Sequence, residues 1–153
     1  MPIIQDSIEI EAAPTDLFRY CHDIAARPLW DDRVLRIKLL SSAPIRSGTL
    51  LRVDAARAGT YAYSWDAEYS QFRFPSGSTL SVIDAAPSSP FVRASTETWT
   101  FTSSGGVTRF DLKWNYVTKG FLGKVTDRLV GRNSMKRAIR RSLVNLKKSV
   151  ETR

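Results

Sequence analysis

The chain has 153 residues, 42% hydrophobic and 25% charged, an ordinary globular composition with enough length to bury a real core. One cysteine, Cys21, excludes an internal disulfide, and no apolar run approaches the ~18 residues of a membrane span. The net charge of +8 is concentrated at one end: Lys119 to Arg153 holds eleven Lys or Arg against Asp127 and Glu151, and the remainder holds twelve basic and thirteen acidic residues. The opening Met1-Pro2-Ile3-Ile4-Gln5-Asp6 has neither the basic region nor the apolar run of a signal peptide, so a cytoplasmic location is expected. A single domain over 1–153 is the expected organisation.

Ile4, Ile8 and Ile10 alternate with polar residues and predict a first strand from Ile3 to Glu11. Ala13-Pro14-Thr15 breaks it, with Thr15 placed to cap a helix beginning Asp16-Leu17-Phe18. Arg27-Pro28 is expected to end or redirect the helical region near Trp30, and Asp31-Asp32-Arg33 reads as a polar turn. Strands follow around Leu35–Leu39, Thr49–Ala56 and Tyr61–Tyr69, the last carrying Tyr61, Tyr63, Trp65 and Tyr69 at one parity. Pro75-Ser76-Gly77 turns into a strand around Leu80 and Val82, and Ala86-Pro87-Ser88-Ser89-Pro90 is the strongest loop signal. Phe91–Thr102 and Val107–Thr118 are strands joined by a hairpin turn at Ser103-Ser104-Gly105-Gly106.

From Gly120 to Arg153 the pattern is that of one long amphipathic helix, with Leu122, Val125, Leu129, Ile139, Leu143, Leu146 and Val150 as its apolar stripe. Gly131, Arg132, Asn133 and Ser134 interrupt that stripe. A polar break in a buried face points to a solvent-filled cavity; a solvated helix start is the alternative. Consecutive short strands with hairpin-length turns argue for an antiparallel sheet, and a helix of about 30 residues, roughly 45 Å, is the one element able to cover it. The expected fold is α+β: a seven-stranded curved antiparallel sheet wrapped around the C-terminal helix, with short helices after the first strand. The basic residues of that helix are expected to be mostly solvated, with weak, non-specific nucleic-acid binding and room for weak contact with an anionic surface.

His22 is the sole histidine, and a structural role is the favoured reading. One His and one Cys cannot supply a zinc site, and no dinucleotide, phosphate-loop or nucleophile-elbow pattern occurs, so neither metal nor cofactor is expected. Trp65, Trp99 and Trp114 share a sheet face with Tyr63, Tyr69 and Tyr116, more polar-tipped aromatics than a small dry core readily satisfies. These six, with Arg132 in the polar break, are the candidate ligand contacts; an aromatic core is the alternative. Glu97 shares parity with Trp99, and a buried Glu97 facing Arg132 would orient a ligand carbonyl or hydroxyl.

Three stretches resemble the START-like (SRPBCC) superfamily, in particular its polyketide cyclase/dehydrase and lipid transport branch. Ile8-Glu9-Ile10-Glu11-Ala12-Ala13-Pro14 followed by Asp16-Leu17-Phe18 is one. Arg27-Pro28-Leu29-Trp30-Asp31-Asp32-Arg33-Val34 is similar to the family's Trp-Pro-x-Trp-Asp-x-x-Val, with Arg27 replacing the first aromatic. Gly120-Phe121-Leu122-Gly123-Lys124 opens the last helix as a Gly-Leu-Leu-Gly-like stretch does there. The resemblance covers essentially the whole chain and implies the helix-grip fold. Its members include aromatic-polyketide cyclases, lipid and quinone carriers and plant ligand-binding allergens. In the cyclases a strand Trp is followed three residues later by an Arg that holds substrate; Trp65-Asp66-Ala67-Glu68 has Glu68 there, against that particular chemistry.

The favoured reading is a protein that binds, and transports or sequesters, a small apolar or aromatic molecule between sheet and helix. A cofactor-independent cyclase/dehydratase, with Glu97 or Glu68 moving protons, is the alternative. An interaction module using the basic helix is the third.

Overall fold

The computed structural model describes residues 3–55, 64–84 and 92–152. Seven strands, β1 (Ile3–Ile10), β2 (Val34–Leu39), β3 (Leu50–Ala55), β4 (Ser64–Arg73), β5 (Gly77–Asp84), β6 (Val92–Ser104) and β7 (Val107–Thr118), form one antiparallel sheet ordered β1-β7-β6-β5-β4-β3-β2. All neighbours but β1 and β7 are consecutive in the chain. Two short helices, α1 (Pro14–His22) and α2 (Arg27–Trp30), carry the chain from one sheet edge to the other. Register shifts between Val34 and Arg36, Asp66 and Ala67, Tyr69 and Gln71, and Val92 and Ala94 bend the strands, and the sheet curves into a half-barrel.

The alternation read in β7 is realised side chain by side chain: Phe110, Leu112, Trp114 and Tyr116 are buried on the concave face, while Arg109 and Lys113 are exposed on the other. The β6–β7 hairpin turns at Gly105 (φ 57°) and Gly106 (φ 83°), the two left-handed positions that a tight two-residue turn requires. Gly77 is needed for another reason: a Cβ there would lie 2.6 Å from the Trp99 carbonyl oxygen of the paired strand.

The C-terminal helix is continuous but not uniform. α3 (Gly120–Thr126) runs into one π-helical turn (Asp127–Gly131) and then α4 (Arg132–Glu151). Ile139, Leu143 and Leu146 of α4 are fully buried on the concave face, as their spacing predicts. The first half departs from the predicted stripe: Leu122 and Leu129 are 74% and 70% exposed, and Gly123, Asp127 and Gly131 are the buried residues instead. A π-turn inserts about one residue and so rotates what precedes it by roughly 100°. A stripe drawn at a uniform 3.6-residue period therefore assigns the wrong face to Leu122 and Leu129.

Three local readings change as well. Helix α1 begins at Pro14 with Ala13 as its cap residue and no side-chain cap, so Thr15 lies inside the first turn. Arg27-Pro28 starts the one-turn α2 instead of ending a helix, since proline is tolerated where the first helical N–H has no partner. Asp31 and Arg33 of the expected polar turn are buried. Tyr61, Tyr63 and the 86–90 loop lie outside the described residues.

Candidate functional site

Helix α2 is a single turn, which puts Arg27 and Asp31 on the same side, and the Arg27 Nε–H donates to Asp31 Oδ2 at 2.7 Å. Asp31 closes that turn and accepts from the Arg33 backbone N–H (3.0 Å), Arg33 Nε (3.0 Å) and an Arg33 terminal nitrogen (2.9 Å). The Arg33 guanidinium also spans to Glu97 on β6, at 2.5 and 3.2 Å. Glu97 accepts the Trp99 indole N–H at 2.7 Å and lies 3.6 Å from a terminal nitrogen of Arg27. The Arg27 guanidinium lies over the Trp99 ring, 4.4 Å from its centroid. Two guanidinium groups and two carboxylates thus form a neutral, interlocked network, with Asp31 fully buried and Arg27 and Arg33 under a tenth exposed.

Burial alone would raise the Asp31 carboxyl, but the charges and hydrogen bonds of Arg33 and Arg27 outweigh it and hold it well below the usual carboxylate range. The network reaches α4 through Ser142, whose Oγ lies 3.2 Å from Asp31 Oδ1 and accepts the Asp32 backbone N–H at 2.9 Å.

Beside this network a small recess is lined by Arg27, Tyr69, Ser78, Leu80, Glu97 and Trp99. His22 of α1 supports it from below. Its Nδ1 lies 2.7 Å from the Phe18 carbonyl, which can only accept, so the proton sits on Nδ1 and the Ser78 hydroxyl donates to Nε2 at 2.7 Å. Burial pushes the His22 imidazole down to about 4 and the Tyr69 phenol up to about 12. Both groups are neutral near pH 7, and His22 is a structural member of an aromatic cluster with Phe18 and Trp99.

A second polar cluster lies where the helix changes pitch. Asp127, 2% exposed in the π-turn, accepts a hydrogen bond from the Tyr116 hydroxyl and pairs with Arg132 at 3.0 Å. Tyr116 stacks on Trp114 with centroids 4.1 Å apart, and burial together with its bond to Asp127 pushes its phenol up to about 12. This cluster ties the first half of the helix to β7.

The structure distributes the predicted residues between these two places. Trp99 and Tyr69 line the recess; Trp114, Tyr116 and Arg132 belong to the π-turn cluster; Trp65 is half-buried on the face shared with Ala67 and Tyr69. Tyr63 lies outside the described residues. Glu97 does not face Arg132: its partners are Arg33 and Arg27, and Arg132 pairs with Asp127. Glu68 stands between the inward Ala67 and Tyr69, hence on the convex side of β4. Sequence reasoning missed Arg27, Asp31, Arg33, Ser78 and Asp127. The signal for Arg27 was present, because it replaces an aromatic residue in the second motif. No helix among the described residues is long and apolar enough to cross a membrane.

A family model described as polyketide cyclase / dehydrase and lipid transport matches residues 1–151. The chain belongs to this family. Among solved structures, a protein of Thermus thermophilus is 18% identical with a TM-score of 0.79, covering 99% of this chain and 98% of that one. The Zhui aromatase/cyclase from a Streptomyces species is 12% identical with a TM-score of 0.75, covering 98% and 93%. A START superfamily protein from Mycobacterium smegmatis is 12% identical with a TM-score of 0.74, covering 98% and 97%. At these identities the likeness shows the helix-grip fold alone. No curated relative matches the chain.

Proposed function

We propose that this family member binds a small apolar or aromatic molecule between the concave sheet face and the C-terminal helix, without a cofactor. The observation that supports the reading is a polar-tipped aromatic recess on the concave face, where β4, β5 and β6 meet α2 and not the C-terminal helix: a buried guanidinium, Arg27, over the indole of Trp99, with a phenol and a hydroxyl from Tyr69 and Ser78 beside apolar Leu80. Apolar walls with a few fixed polar groups orient a ligand that has one hydrogen-bonding end. The recess has no room for a water molecule and Arg27 covers the Trp99 face, so a ring would reach Trp99 only as Arg27 turns aside to meet the ligand's carbonyl, phenol or carboxylate. Trp114 and Tyr116, beside Arg132, and Trp65 on β4 are the further candidate contacts, with Tyr63 outside the described residues.

Binding is favoured over cyclase or dehydratase chemistry by what Glu97 already does. Glu97 lines the recess, but both of its oxygens accept from Arg33 and one also accepts from Trp99, so its carboxylate is engaged in structural hydrogen bonds. Native mass spectrometry of the protein purified from its own host tests the reading. A discrete bound mass in the small-molecule range, lost on denaturation and weakened by Arg27→Met, is the expected result. An empty protein whose melting temperature is unmoved by a panel of aromatic acids, phenols and fatty acids would overturn it.

A further inference from the structure

The π-turn that brings Gly123 and Asp127 inward leaves an apolar surface outside. Phe121, Leu122, Leu129 and Val130 are 79%, 74%, 70% and 54% exposed, all within ten consecutive residues of one helix. Exposed large apolar groups scattered singly are ordinary, but four on three turns of one element make a patch. Nothing in core packing asks for these residue types at such exposure. Alanine or lysine would serve a solvated helix better.

The charges around the patch are arranged differently from those further along. In the rest of the helix Arg140 pairs with Asp6, Arg141 with Asp32 and Lys147 with Glu151, so those cations hold the helix to the body or to itself. Lys124, Arg128, Lys136 and Arg137 are exposed and make no ion pair among the described residues. The acid within this stretch, Asp127, is buried and occupied by Tyr116 and Arg132. The surface offered to solvent is therefore bulky, apolar and purely cationic.

We propose that this face, α3 and the π-turn with the start of α4, docks on an anionic lipid bilayer, with Phe121, Leu122, Leu129 and Val130 entering the headgroup–acyl boundary and Lys124, Arg128, Lys136 and Arg137 meeting lipid phosphates. Apolar knobs flanked by flexible cations are what an interfacial helix requires, since apolar burial and attraction to acidic lipids add. The charge argues for this occupant over a second copy: a symmetric dimer through the same face would set Lys124 and Arg128 against their own equivalents. A nucleic acid would use the cations and leave the apolar side chains without a role. Docking does not depend on the ligand reading. If both hold, the bilayer is where an apolar ligand is collected or delivered, next to the Tyr116–Asp127–Arg132 cluster that fastens this half of the helix.

Flotation of the full chain with phosphatidylcholine vesicles, with and without about 30 mol% phosphatidylglycerol at physiological salt, tests the proposal. Binding to the anionic vesicles and little to the neutral ones is expected. Phe121→Ser/Leu129→Ser and Lys124→Glu/Arg128→Glu should each weaken it by about tenfold or more, since both contributions are needed. All four positions are exposed, and unchanged thermal melts would show that the variants fold. No binding to anionic vesicles overturns the proposal. So does binding that the serine variant leaves intact, which would be charge alone, and so does a concentration-dependent dimer in lipid-free buffer that the serine variant abolishes. Tryptophan fluorescence titration with the small molecules of the previous section, run on the same variants, separates loss of docking from loss of ligand binding.

Discussion

Replacing Asp31 with Asn tests the buried charge network at its centre. The side chain keeps its size but loses its charge, and its new NH2 group faces donors from Arg27 or Arg33 where an acceptor stood at 2.7–3.0 Å. Two buried guanidinium groups would then share one carboxylate, Glu97. Breaking a buried pair from one side costs about 3–5 kcal/mol, a large part of the roughly 5–15 kcal/mol that stabilises a domain. Urea unfolding should show the midpoint fall with the slope unchanged. Asp31→Leu/Arg33→Met, which restores neutrality with Arg27 facing Glu97, should be less destabilised than Asp31→Leu alone. The pH dependence follows in sign: a carboxyl held below its unfolded value stabilises fully above about pH 4 and loses that contribution as pH falls further. A loss under about 1 kcal/mol for Asp31→Asn would refute the reasoning, because the network would then be solvated in solution.

His22 gives a second pH signature, of different origin. Its imidazole falls from about 6.5 unfolded to about 4 folded, so the unfolded chain takes up the proton first and stability drops as pH decreases through that window. Between pH 7 and about 5.5 the loss should be on the order of 1 kcal/mol by urea unfolding, and His22→Gln should flatten the slope; an equal slope in both proteins would contradict the assignment. Leu143, fully buried under the sheet, should cost about 2–5 kcal/mol when replaced by Ala, and a change within experimental error would deny that the helix is gripped there.

The sheet was legible because its signal is local. Val107–Thr118 alternates without interruption, and a period of two cannot be satisfied by a helix, so the β7 span follows from pattern alone. The aromatic face was legible for the same reason. The helix was legible in extent but not in rotation: nothing in Asp127-Arg128-Leu129-Val130-Gly131 announces a π-turn, and the hydrogen bond that Asp127 accepts there from the Tyr116 hydroxyl is a tertiary contact with β7. The charge network was hidden by a different rule. Asp31-Asp32-Arg33 has the composition of a solvated turn, and only the arrival of Glu97 and Arg27 makes burial of Asp31 and Arg33 tolerable. Arg27 was noticed as a departure from a motif; the stack on Trp99 that gives the departure its meaning joins residues 72 positions apart.

Calorimetric titration of the purified protein with an aromatic carboxylic acid that raises its melting temperature tests the central claim most directly. Trp99→Phe and Trp114→Phe should weaken binding by several-fold or more, and Arg27→Met should do so for the acid but not for its uncharged analogue, while Trp30→Phe, a buried packing residue, should leave affinity nearly unchanged. Equal losses at Trp30, Trp99 and Trp114, with Arg27→Met indifferent to the ligand's charge, would mean that the aromatics are core alone and that no ligand lies between sheet and helix.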